Sequence, residues 1–469
     1  MAEYLAPVRD IQFVLDNLVD MPTLLATPAF AEIDPSSMPD LLAEYGRFIS
    51  EVFGPLNRVG DREHSRRDPA TGEVRTPTGF RAAYQQYVDA GWGAVPFDPA
   101  HGGGGFPWIF GIAMQEILTS ANMGFSLCPL LTQGAIEALA HHGTEEQQET
   151  YLRKMVNGEW TGTMNLTEPQ AGSDVGALTT KAVLDASGTW RIFGQKIFIT
   201  YGEHDMADNI IHLVLARVPN APPGTKGISL FIVPKFLIDE TGALGEHNDV
   251  RCVSVEHKMG INASPTCVMA YGDNGEGATG YLIGEANTGM RSMFTMMNNA
   301  RLSVGLQGLA IAERAYQDAV AYATQRVQGR PVGGDSGDAI IGHPDVRRNL
   351  LTMRSQIEAM RGLVYLNAYA TDMARHHPDA DERARHQERS DLLTPLSKAW
   401  CTDLGVELTS VAVQIFGGMG FIEEAGRCSA LPRQSHCPDL RRHQRYPSAR
   451  FDRAKAQPAR GSGGSRTTR

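Results

Sequence analysis

The stretch MNLTEPQAGSDVGALTTKA, residues 164–182, marks the point at which the hydrophobic pattern of this chain changes. Ahead of it, apolar residues recur every three or four positions, as they do in helices; beyond it, they fall in short runs that favour strands. The stretch itself is rich in turn residues and hydroxyl groups. Such a loop can offer several hydrogen-bond donors to a flat heteroaromatic ring or to a carbonyl group. It therefore predicts a binding loop at the entry to a β region.

The β region extends from about residue 159 to residue 282. Its β-rich runs, such as 196–200 and 228–233, are separated by turns that contain Gly, Pro, Asn and Asp, with no helical pattern between them. Strands at this spacing predict an antiparallel sandwich or barrel and argue against a doubly wound sheet.

Helical patterns lie on both sides of the β region. The N-terminal side includes a long apolar-periodic stretch, 109–139, and Thr144 is positioned to cap the helix that follows. On the C-terminal side, three long patterns predict a helical bundle: 290–326, 343–375 and 391–416. The order helical, all-β, helical indicates an α+β multidomain protein.

The composition is that of an ordinary globular protein, with 469 residues, 42% hydrophobic and 20% charged. This excludes disorder of the whole chain and the collagen-like and disulfide-scaffold classes. The cysteines form no CxxC pair and no Cys/His cluster, so no metal site is expected. The sequence contains no run of about 18 apolar residues, so it predicts no membrane-spanning helix. The N-terminal segment carries acidic residues where a signal peptide needs basic ones. We expect a cytoplasmic protein without membrane association.

The net charge of −10 conceals a basic tail. Residues 427–469 contain ten Arg and one Lys against two Asp. A basic arm on an acidic body is one signature of nucleic-acid binding. Such arms are usually rich in Lys, however, and the rest of the chain lacks basic stretches with interleaved aromatics. We therefore expect no nucleic-acid partner.

Common catalytic and nucleotide-binding motifs do not occur in the sequence. There is no GxGxxG after a strand, no P-loop, no HExxH and no GxSxG. GGGG at 102–105 and GGMG at 417–420 are weak signals by themselves, typical of a flexible loop and a helix stop. The functional prediction therefore depends on the stretch 164–182.

That stretch resembles the flavin-contact loop of the acyl-CoA dehydrogenase family. Four further segments resemble family segments in the same order: QKIFIT (195–200), HKMGINASPTC (257–267), NNARLSVGLQGLAIAERAYQDAVAYATQR (298–326) and QIFGGMGF (414–421). The resemblance covers about residues 1–426. The N-terminal YLAPVRDIQFVLDNL and the loop near 98–105 resemble the branch of the family that includes 3-methylmercaptopropionyl-CoA dehydrogenase.

The resemblance implies a helical N-terminal domain, a β-barrel or sandwich middle domain and a C-terminal helical bundle. It divides the chain into a family extension at 1–35, a helical domain at 36–158, a β domain at 159–282, an incomplete bundle at 283–426 and an aberrant tail at 427–469. We expect the tail to be disordered or poorly packed.

The resemblance also implies FAD-dependent α,β-desaturation of an acyl-CoA thioester. A carboxylate with a raised pKa takes a proton from Cα, and flavin N5 takes a hydride from Cβ. Because the α proton is weakly acidic, the thioester carbonyl must be polarised by hydrogen bonds in a dry site. The family expectation is an electron-transferring flavoprotein as acceptor and a homo-oligomer, dimer or tetramer, with FAD at a subunit boundary.

Individual residues match family positions. Those that match flavin contacts are Met164, Leu166, Thr167, Gly172, Ser173, Phe198 and Thr200. Those that match flavin contacts from a neighbouring subunit are Arg326, with Arg330 as its competitor, Gln414, Gly417 and Gly418. Those that match acyl-CoA contacts are Ser173, Asn298 and Arg301.

The catalytic base is missing from both positions that the family uses. Most members have a Glu in a YEGT-like motif beyond the GGxG segment, and here that position falls at Arg441 within SHCPDLRRHQRYPS (435–448). The alternative position on the first bundle helix is Ala300, while Glu423 and Glu424 match non-catalytic positions. We therefore expect a catalytically impaired acyl-CoA dehydrogenase; the alternative is a non-catalytic paralogue that binds flavin or CoA.

A shift of reading frame would account for the tail, because the resemblance stops abruptly after Gly426. If residues 439–442 (DLRR) were encoded GAT-CTA-CGA-AGG, reading one base later would give Ile-Tyr-Glu and the start of a Gly codon, which is the missing motif. We therefore predict a single frameshift at or just after the codon of Gly426.

Overall fold

The computed structural model describes residues 3–422, and helices make up the N-terminal part of these residues. They are α1 (Val8–Asn17), α2 (Met21–Leu25), α3 (Met38–Val52), α4 (Leu56–Glu63), α5 (Phe80–Asp89), α6 (Trp108–Ala121), α7 (Met123–His142) and α8 (Glu145–Val156). A small hairpin of β1 (Arg66–Arg67) and β2 (Val74–Arg75) lies between α4 and α5.

The apolar stretch 109–139 forms two helices, α6 and α7, which meet at Asn122. The Asn122 side-chain oxygen accepts a hydrogen bond from the Phe125 N–H at 3.1 Å. Asn is a favoured N-cap because its short side chain satisfies an N–H group of the first turn. The cap predicted at Thr144 is confirmed, since Thr144 and Gln147 form a reciprocal capping box at the start of α8.

The middle of the chain is a β region. Its strands are β3 (Trp160–Asn165), β4 (Lys181–Leu184), β5 (Trp190–Thr200), β6 (Asn209–Ala216), β7 (Ser229–Pro234), β8 (Phe236–Ile238), β9 (Leu244–His247), β10 (Val250–Val255), β11 (Thr266–Tyr271) and β12 (Ala278–Ile283). The main sheet has the order β10-β11-β5-β12-β7-β6-β3, with β4 beside β5, and β8 pairs with β9.

The barrel or sandwich predicted for the middle region is confirmed, with one difference in strand direction. An isolated bridge between Lys181 and Arg217 joins β4 to the residue that follows β6, so that the path β4-β5-β12-β7-β6 closes on itself. The pair of β3 and β6 is parallel, however, so a wholly antiparallel sheet was the wrong expectation. A parallel pair needs a long crossover connection, which the segment containing β4 and β5 supplies.

The C-terminal part is a bundle of α9 (Gly289–Gln325), α10 (Pro344–His376) and α11 (Ala380–Phe416). α11 begins at residue 380 and not at 391, because its first turns, ADERARHQERS, are polar and lack the apolar period. Asp379 caps this helix by accepting hydrogen bonds from the Asp381 and Glu382 N–H groups at 2.7 and 3.1 Å. Gly308 permits close packing, since a Cβ there would lie 2.1 Å from the Cys401 carbonyl oxygen of α11.

One helical segment of residues 3–422, Ala380–Phe421, is long and apolar enough to cross a membrane. It packs along α9 and α10, and 44% of its most apolar window is buried. The core helix of a bundle meets the same criterion, so the match is weak evidence for a membrane helix.

The order helical, β, helical is therefore confirmed. The residue limits of the five parts stay a prediction, and the expectation for 427–469 lies outside the described residues.

Candidate functional site

The end of β3 presents the first three candidate flavin contacts. Leu166 is buried, whereas Met164 and Thr167 are half-buried at the edge of the sheet. β3 is fixed from behind by α7, because the Gly162 N–H donates to the Thr132 hydroxyl at 3.1 Å. The end of β3 is thus packed on α7, and Met164 and Thr167 stay partly exposed.

A buried ion pair anchors the loop that follows β3. The Lys196 ammonium, fully buried on β5, donates to a Glu168 carboxylate oxygen at 2.8 Å and to the Leu166 carbonyl oxygen at 3.1 Å. The hydroxyls of Thr179 and Thr180 donate to the same carboxylate at 2.8 and 2.6 Å. The loop is therefore tied to β5 at its start and to the entry of β4 at its end.

Both partners of this ion pair are charged at neutral pH. Burial opposes the charge of Glu168, but the adjacent Lys196 ammonium and the hydrogen bonds to Thr180 and Thr179 outweigh it and lower the pKa of Glu168 to about 2. Burial lowers the pKa of Lys196 to about 8, and the Glu168 charge limits the fall. Sequence reasoning missed this pair because its members are 28 residues apart, and only a Lys in the middle of a β-rich run hinted at it.

Phe198 combines an exposed ring with an unusual backbone conformation. Its ring is 59% exposed, and its φ of 60° lies in the left-handed region that bulky residues avoid. A register shift in the β5–β11 pairing falls at this position. The Ile197 N–H donates to the Thr167 carbonyl oxygen at 2.9 Å, which couples the bulge to the loop. An exposed aromatic ring in a strained backbone is typical of a functional surface.

Thr200 completes this part of the site. It is half-buried at the end of β5, and its carbonyl oxygen accepts a hydrogen bond from the Thr163 hydroxyl of β3 at 2.8 Å. The ends of β3 and β5 therefore lie side by side, and the structure brings Thr167, Phe198 and Thr200 together.

Gly172 and Ser173 lie in the loop beyond Glu168, at the surface of the same region. A Cβ on Gly172 would meet nothing within 4 Å, so packing inside the chain does not demand glycine there. The open space beside this backbone suits the close approach of a ligand.

The candidate acyl-CoA contacts lie on α9, which begins against the β region through a hydrogen bond from the Gly289 N–H to the Ile228 carbonyl oxygen. Arg301 donates to the Asn298 side-chain oxygen at 3.1 Å and lies over the Phe294 ring at 5.6 Å. Burial lowers the pKa of the Arg301 guanidinium from its usual value. The guanidinium remains cationic at any physiological pH and can face a phosphate or a carbonyl group.

The candidates at the other end of the bundle form a second group. The Tyr322 and Phe416 rings meet at 5.3 Å and bring the ends of α9 and α11 together. Exposed Arg326, Gln414, Gly417 and Gly418 follow or flank these rings. Arg330, the alternative to Arg326 as the family's flavin-contacting arginine, donates to the nearby Gly334 carbonyl oxygen at 2.7 Å.

The two groups do not meet within one chain. Arg301 lies on α9 and Arg326 directly follows its last residue, so the 25 residues between these positions correspond to about 37 Å at 1.5 Å per residue.

Of the candidate positions for the catalytic base, only position 300 lies within the described residues. Ala300 is half-buried on α9, next to Arg301. Arg441, Glu423 and Glu424 lie outside the described residues. Within residues 3–422, His, Cys, Asp and Glu side chains form no group of three that could hold a metal ion.

The residues at the ends of β3 and β5 fit the isoalloxazine ring of FAD. Phe198 offers an exposed aromatic face, and half-buried Thr167 and Thr200 supply hydroxyl groups at the same two strand ends. A planar ring needs one such face together with a few polar groups that fix its orientation.

Comparisons with known proteins agree with this arrangement. Family models described as the N-terminal, middle and C-terminal domains of acyl-CoA dehydrogenase match residues 61–159, 163–273 and 287–439. The 3-methylmercaptopropionyl-CoA dehydrogenase of Ruegeria pomeroyi is 51% identical over 425 residues, which cover 90% of this chain and 71% of that protein.

Solved structures share the fold. The butyryl-CoA dehydrogenase of Megasphaera elsdenii superposes with a TM-score of 0.69 at 25% identity, covering 86% of this chain and 94% of that chain. An acyl-CoA dehydrogenase complexed with FAD from Bacillus anthracis superposes with a TM-score of 0.73 at 21% identity, covering 93% of this chain and 70% of that chain.

Proposed function

The chain belongs to the acyl-CoA dehydrogenase family, and we propose that it is built for FAD-dependent α,β-desaturation of a short acyl-CoA thioester, 3-methylmercaptopropionyl-CoA in particular. The observation that carries this proposal is the 51% identity to a 3-methylmercaptopropionyl-CoA dehydrogenase over 90% of the chain. The exposed Phe198 ring, coupled to the loop at Thr167, supports the flavin part of it.

The residues of this chain have distinct roles in the proposed reaction. Phe198, Thr167 and Thr200 would hold the flavin ring, Phe198 by an aromatic face and the two threonines by their hydroxyls. Asn298 and Arg301 hold the CoA thioester beside it, with Ser173 on the CoA side. When bound, FAD supplies the hydride acceptor for Cβ. The protein contributes orientation and the exclusion of water.

We propose that proton removal is the defective step in this chain. Ala300 occupies one of the two positions from which family members supply the carboxylate, and Arg441 occupies the other. Loss of a general base typically lowers the rate about 100-fold to 10,000-fold. A non-catalytic protein that binds flavin or CoA is the second candidate function, and the alanine at position 300 is the observation that favours it.

We also propose a homo-oligomeric, cytoplasmic protein that passes electrons to an electron-transferring flavoprotein. The separation of about 37 Å between Arg301 and Arg326 supports the oligomer, because it places the candidate acyl-CoA contacts and the candidate contacts from a neighbouring subunit at opposite ends of α9. The acceptor follows from family membership.

Anaerobic reduction of bound FAD tests this proposal. We expect 3-methylmercaptopropionyl-CoA to bind to the FAD-loaded chain without bleaching the flavin at a useful rate. Ala300→Glu should accelerate bleaching at least about 100-fold, because it supplies a carboxylate at the alternative base position. Ala300→Gln is the matched control and should stay slow. Rapid bleaching in the unmodified chain would contradict the impairment, and failure of the thioester to bind would contradict the proposed substrate class.

A further inference from the structure

An open cavity of about 370 Å³ lies beside the hairpin of β1 and β2, and all of its lining residues fall between positions 63 and 78. Arg66, Arg67 and Arg75 supply three guanidinium groups to this lining. We refer to the cavity as the arginine cleft. Cavities that bind small molecules usually measure about 300–1,000 Å³, so the cleft has room for a ligand larger than a single phosphate ion. None of its residues is a candidate contact for flavin or acyl-CoA.

Main-chain oxygens hold two of the three arginines. The Arg66 Nε donates to the Glu63 carbonyl oxygen at 3.1 Å, and the Arg67 Nε donates to the Cys252 carbonyl oxygen at 2.8 Å. Among residues 3–422, the terminal nitrogens of both side chains and the whole guanidinium of Arg75 have no hydrogen-bond or ion-pair partner. These terminal nitrogens form the planar fork that matches a phosphate group.

The hairpin brings like charges together. Arg66 lies directly opposite Arg75 in the antiparallel pair of β1 and β2. Like charges at opposite positions destabilise a pair of strands, because their side chains are close neighbours. An anion bound between the two guanidinium groups would replace this repulsion with two attractions. The hairpin is therefore arranged for a negatively charged ligand.

Two carboxylates also line the cleft, and both are engaged by the main chain. Glu63 accepts a hydrogen bond from the Thr78 N–H at 2.8 Å. Asp68 accepts from the Ala70 and Thr71 N–H groups at 2.8 and 3.3 Å. These carboxylates stabilise the turns around the cleft, and the three guanidinium groups leave it with an excess of positive charge.

The cleft is also fixed to the β region. The N–H and the hydroxyl of Thr76 donate to one carboxylate oxygen of Asp205 at 3.0 and 2.7 Å. The Ser65 N–H donates to the Asn262 carbonyl oxygen at 3.0 Å. A site that is held in place before its ligand arrives loses little free energy to ordering on binding.

We infer that the arginine cleft binds a small molecule through a diphosphate group, which Arg66 and Arg75 contact from opposite strands. A diphosphate has more terminal oxygens than a single phosphate, so it can engage three guanidinium forks at once. The lining contains no Phe, Tyr or Trp on which a nucleotide base could stack, which makes the phosphate groups the recognised feature. The inference is independent of the proposed function, because the cleft shares no residue with the candidate contacts.

Titration calorimetry with inorganic pyrophosphate tests the inference. The full, FAD-saturated chain is titrated with and without saturating 3-methylmercaptopropionyl-CoA, which covers the candidate acyl-CoA site. We expect one pyrophosphate per chain, with an affinity that the thioester does not change. Arg75→Met should weaken binding at least about tenfold, because charge-assisted hydrogen bonds to the anion are lost. Arg66→Met should do the same, and it serves if Arg75→Met does not fold.

Arg62→Met is the matched control. Arg62 is an exposed arginine in the last turn of α4 and does not line the cleft, so this variant should keep the affinity. An equal loss in the control, no loss in the two cleft variants, or no binding to the unmodified chain would overturn the inference.

Two further outcomes would assign the cleft differently and also overturn the inference. Loss of pyrophosphate binding in the presence of the thioester would mean that the diphosphate of CoA itself occupies the cleft. Tighter binding of a ten-residue glutamate peptide than of pyrophosphate would indicate a surface for an acidic protein. Failure of the thioester alone to bind would contradict the proposed function and leave this inference standing.

Discussion

Phe198 combines two features that packing alone does not favour, a left-handed backbone and a largely exposed ring. A bulky residue persists in this conformation only where its surroundings impose it. Here the hydrogen bond between the Ile197 N–H and the Thr167 carbonyl oxygen fixes the bulge. The ring is therefore held outward at a cost in backbone energy, which is understandable if a ligand covers it.

Replacing Phe198 by Gly should affect the stability of the apoprotein and its affinity for FAD in different directions. Relief of about 1–3 kcal/mol of strain should exceed the entropy cost of glycine, about 1 kcal/mol, so we expect the apoprotein to be as stable or slightly more stable. FAD affinity should fall at least about tenfold, because the ring contact is lost. Urea unfolding and flavin titration measure the two effects. Asn220→Gly, at another left-handed position, is the control and should leave FAD affinity unchanged. Unchanged FAD affinity in Phe198→Gly would remove Phe198 from the site.

The Glu168–Lys196 pair predicts how the site responds to acid. The folded-state pKa of Glu168, about 2, lies below its usual value of 4.5. The folded state therefore binds fewer protons than the unfolded state between these values, so the stabilisation is complete above about pH 4.5 and is lost as the pH falls towards 2. Unfolding free energies measured across this range should fall less steeply in Glu168→Gln than in the unmodified chain. Identical slopes would mean that Glu168 is not ionised as described.

At the scale of elements, one buried arginine links the N-terminal helices to the bundle. Arg361 of α10 donates to Glu116 of α6 at 2.8 Å and to Glu313 of α9 at 3.0 Å. The Tyr365 hydroxyl donates to the second oxygen of Glu116 at 2.9 Å. Three helices from distant parts of the chain thus share one network inside the core.

Arg361→Met should be strongly destabilising. It would leave the Glu116 and Glu313 carboxylates buried without their counter-charge, and removal of one partner from such a network typically costs about 3–5 kcal/mol. Arg385→Met is the control, because Arg385 pairs with Glu382 at the surface and should change stability little. Chemical denaturation of both variants gives the comparison. A loss in Arg361→Met no greater than in the control would contradict the structural role of the network.

At the scale of the whole molecule, the candidate flavin contacts form two groups. The ends of β3 and β5 supply one group, and the ends of α9 and α11 supply the other. The separation of the two groups follows from the length of α9, which has 37 residues. We therefore propose that a complete site depends on assembly, and we predict a shift of reading frame after Gly426 in the segment that follows α11.

We therefore expect the isolated chain to bind FAD weakly and to lose it during purification. Thr167, Ser173 and Phe198 are present, but we propose that the second half of the site comes from another copy of the chain and depends on the region in which we predict the frameshift. The ratio of flavin to protein after gel filtration measures the outcome. A yellow protein that retains about one FAD per chain would contradict the expectation.

The origin of the tail is tested at the level of the gene. We expect resequencing around the codon of Gly426 to reveal a shifted frame that encodes a Glu across the codons of Arg441 and Arg442. Correction of the frame should restore both FAD retention and flavin reduction by acyl-CoA. A stop codon before that Glu, or a shifted frame that does not encode it, would contradict the predicted frameshift.

Much of this molecule could be predicted from local sequence. The change of period near residue 160, the cap at Thr144 and the turn-rich loop of the candidate flavin contacts all depend on neighbouring residues, so they can be predicted without tertiary information. The start of α11 could not be predicted in this way, because its polar first turns are held by the Asp379 cap and not by an apolar face. The parallel pairing of β3 with β6 also depends on contacts between distant segments.

Motifs and periodicity are properties of short segments, so the family, the order of the three parts and the candidate contacts could be predicted from the sequence. The grouping of those contacts depends on tertiary structure. It coupled Phe198 to Thr167 through a bulge, buried Lys196 against Glu168, and placed Arg301 and Arg326 towards opposite ends of α9. The physical reason is that distances between remote residues, burial and the satisfaction of hydrogen bonds arise only when the segments pack together.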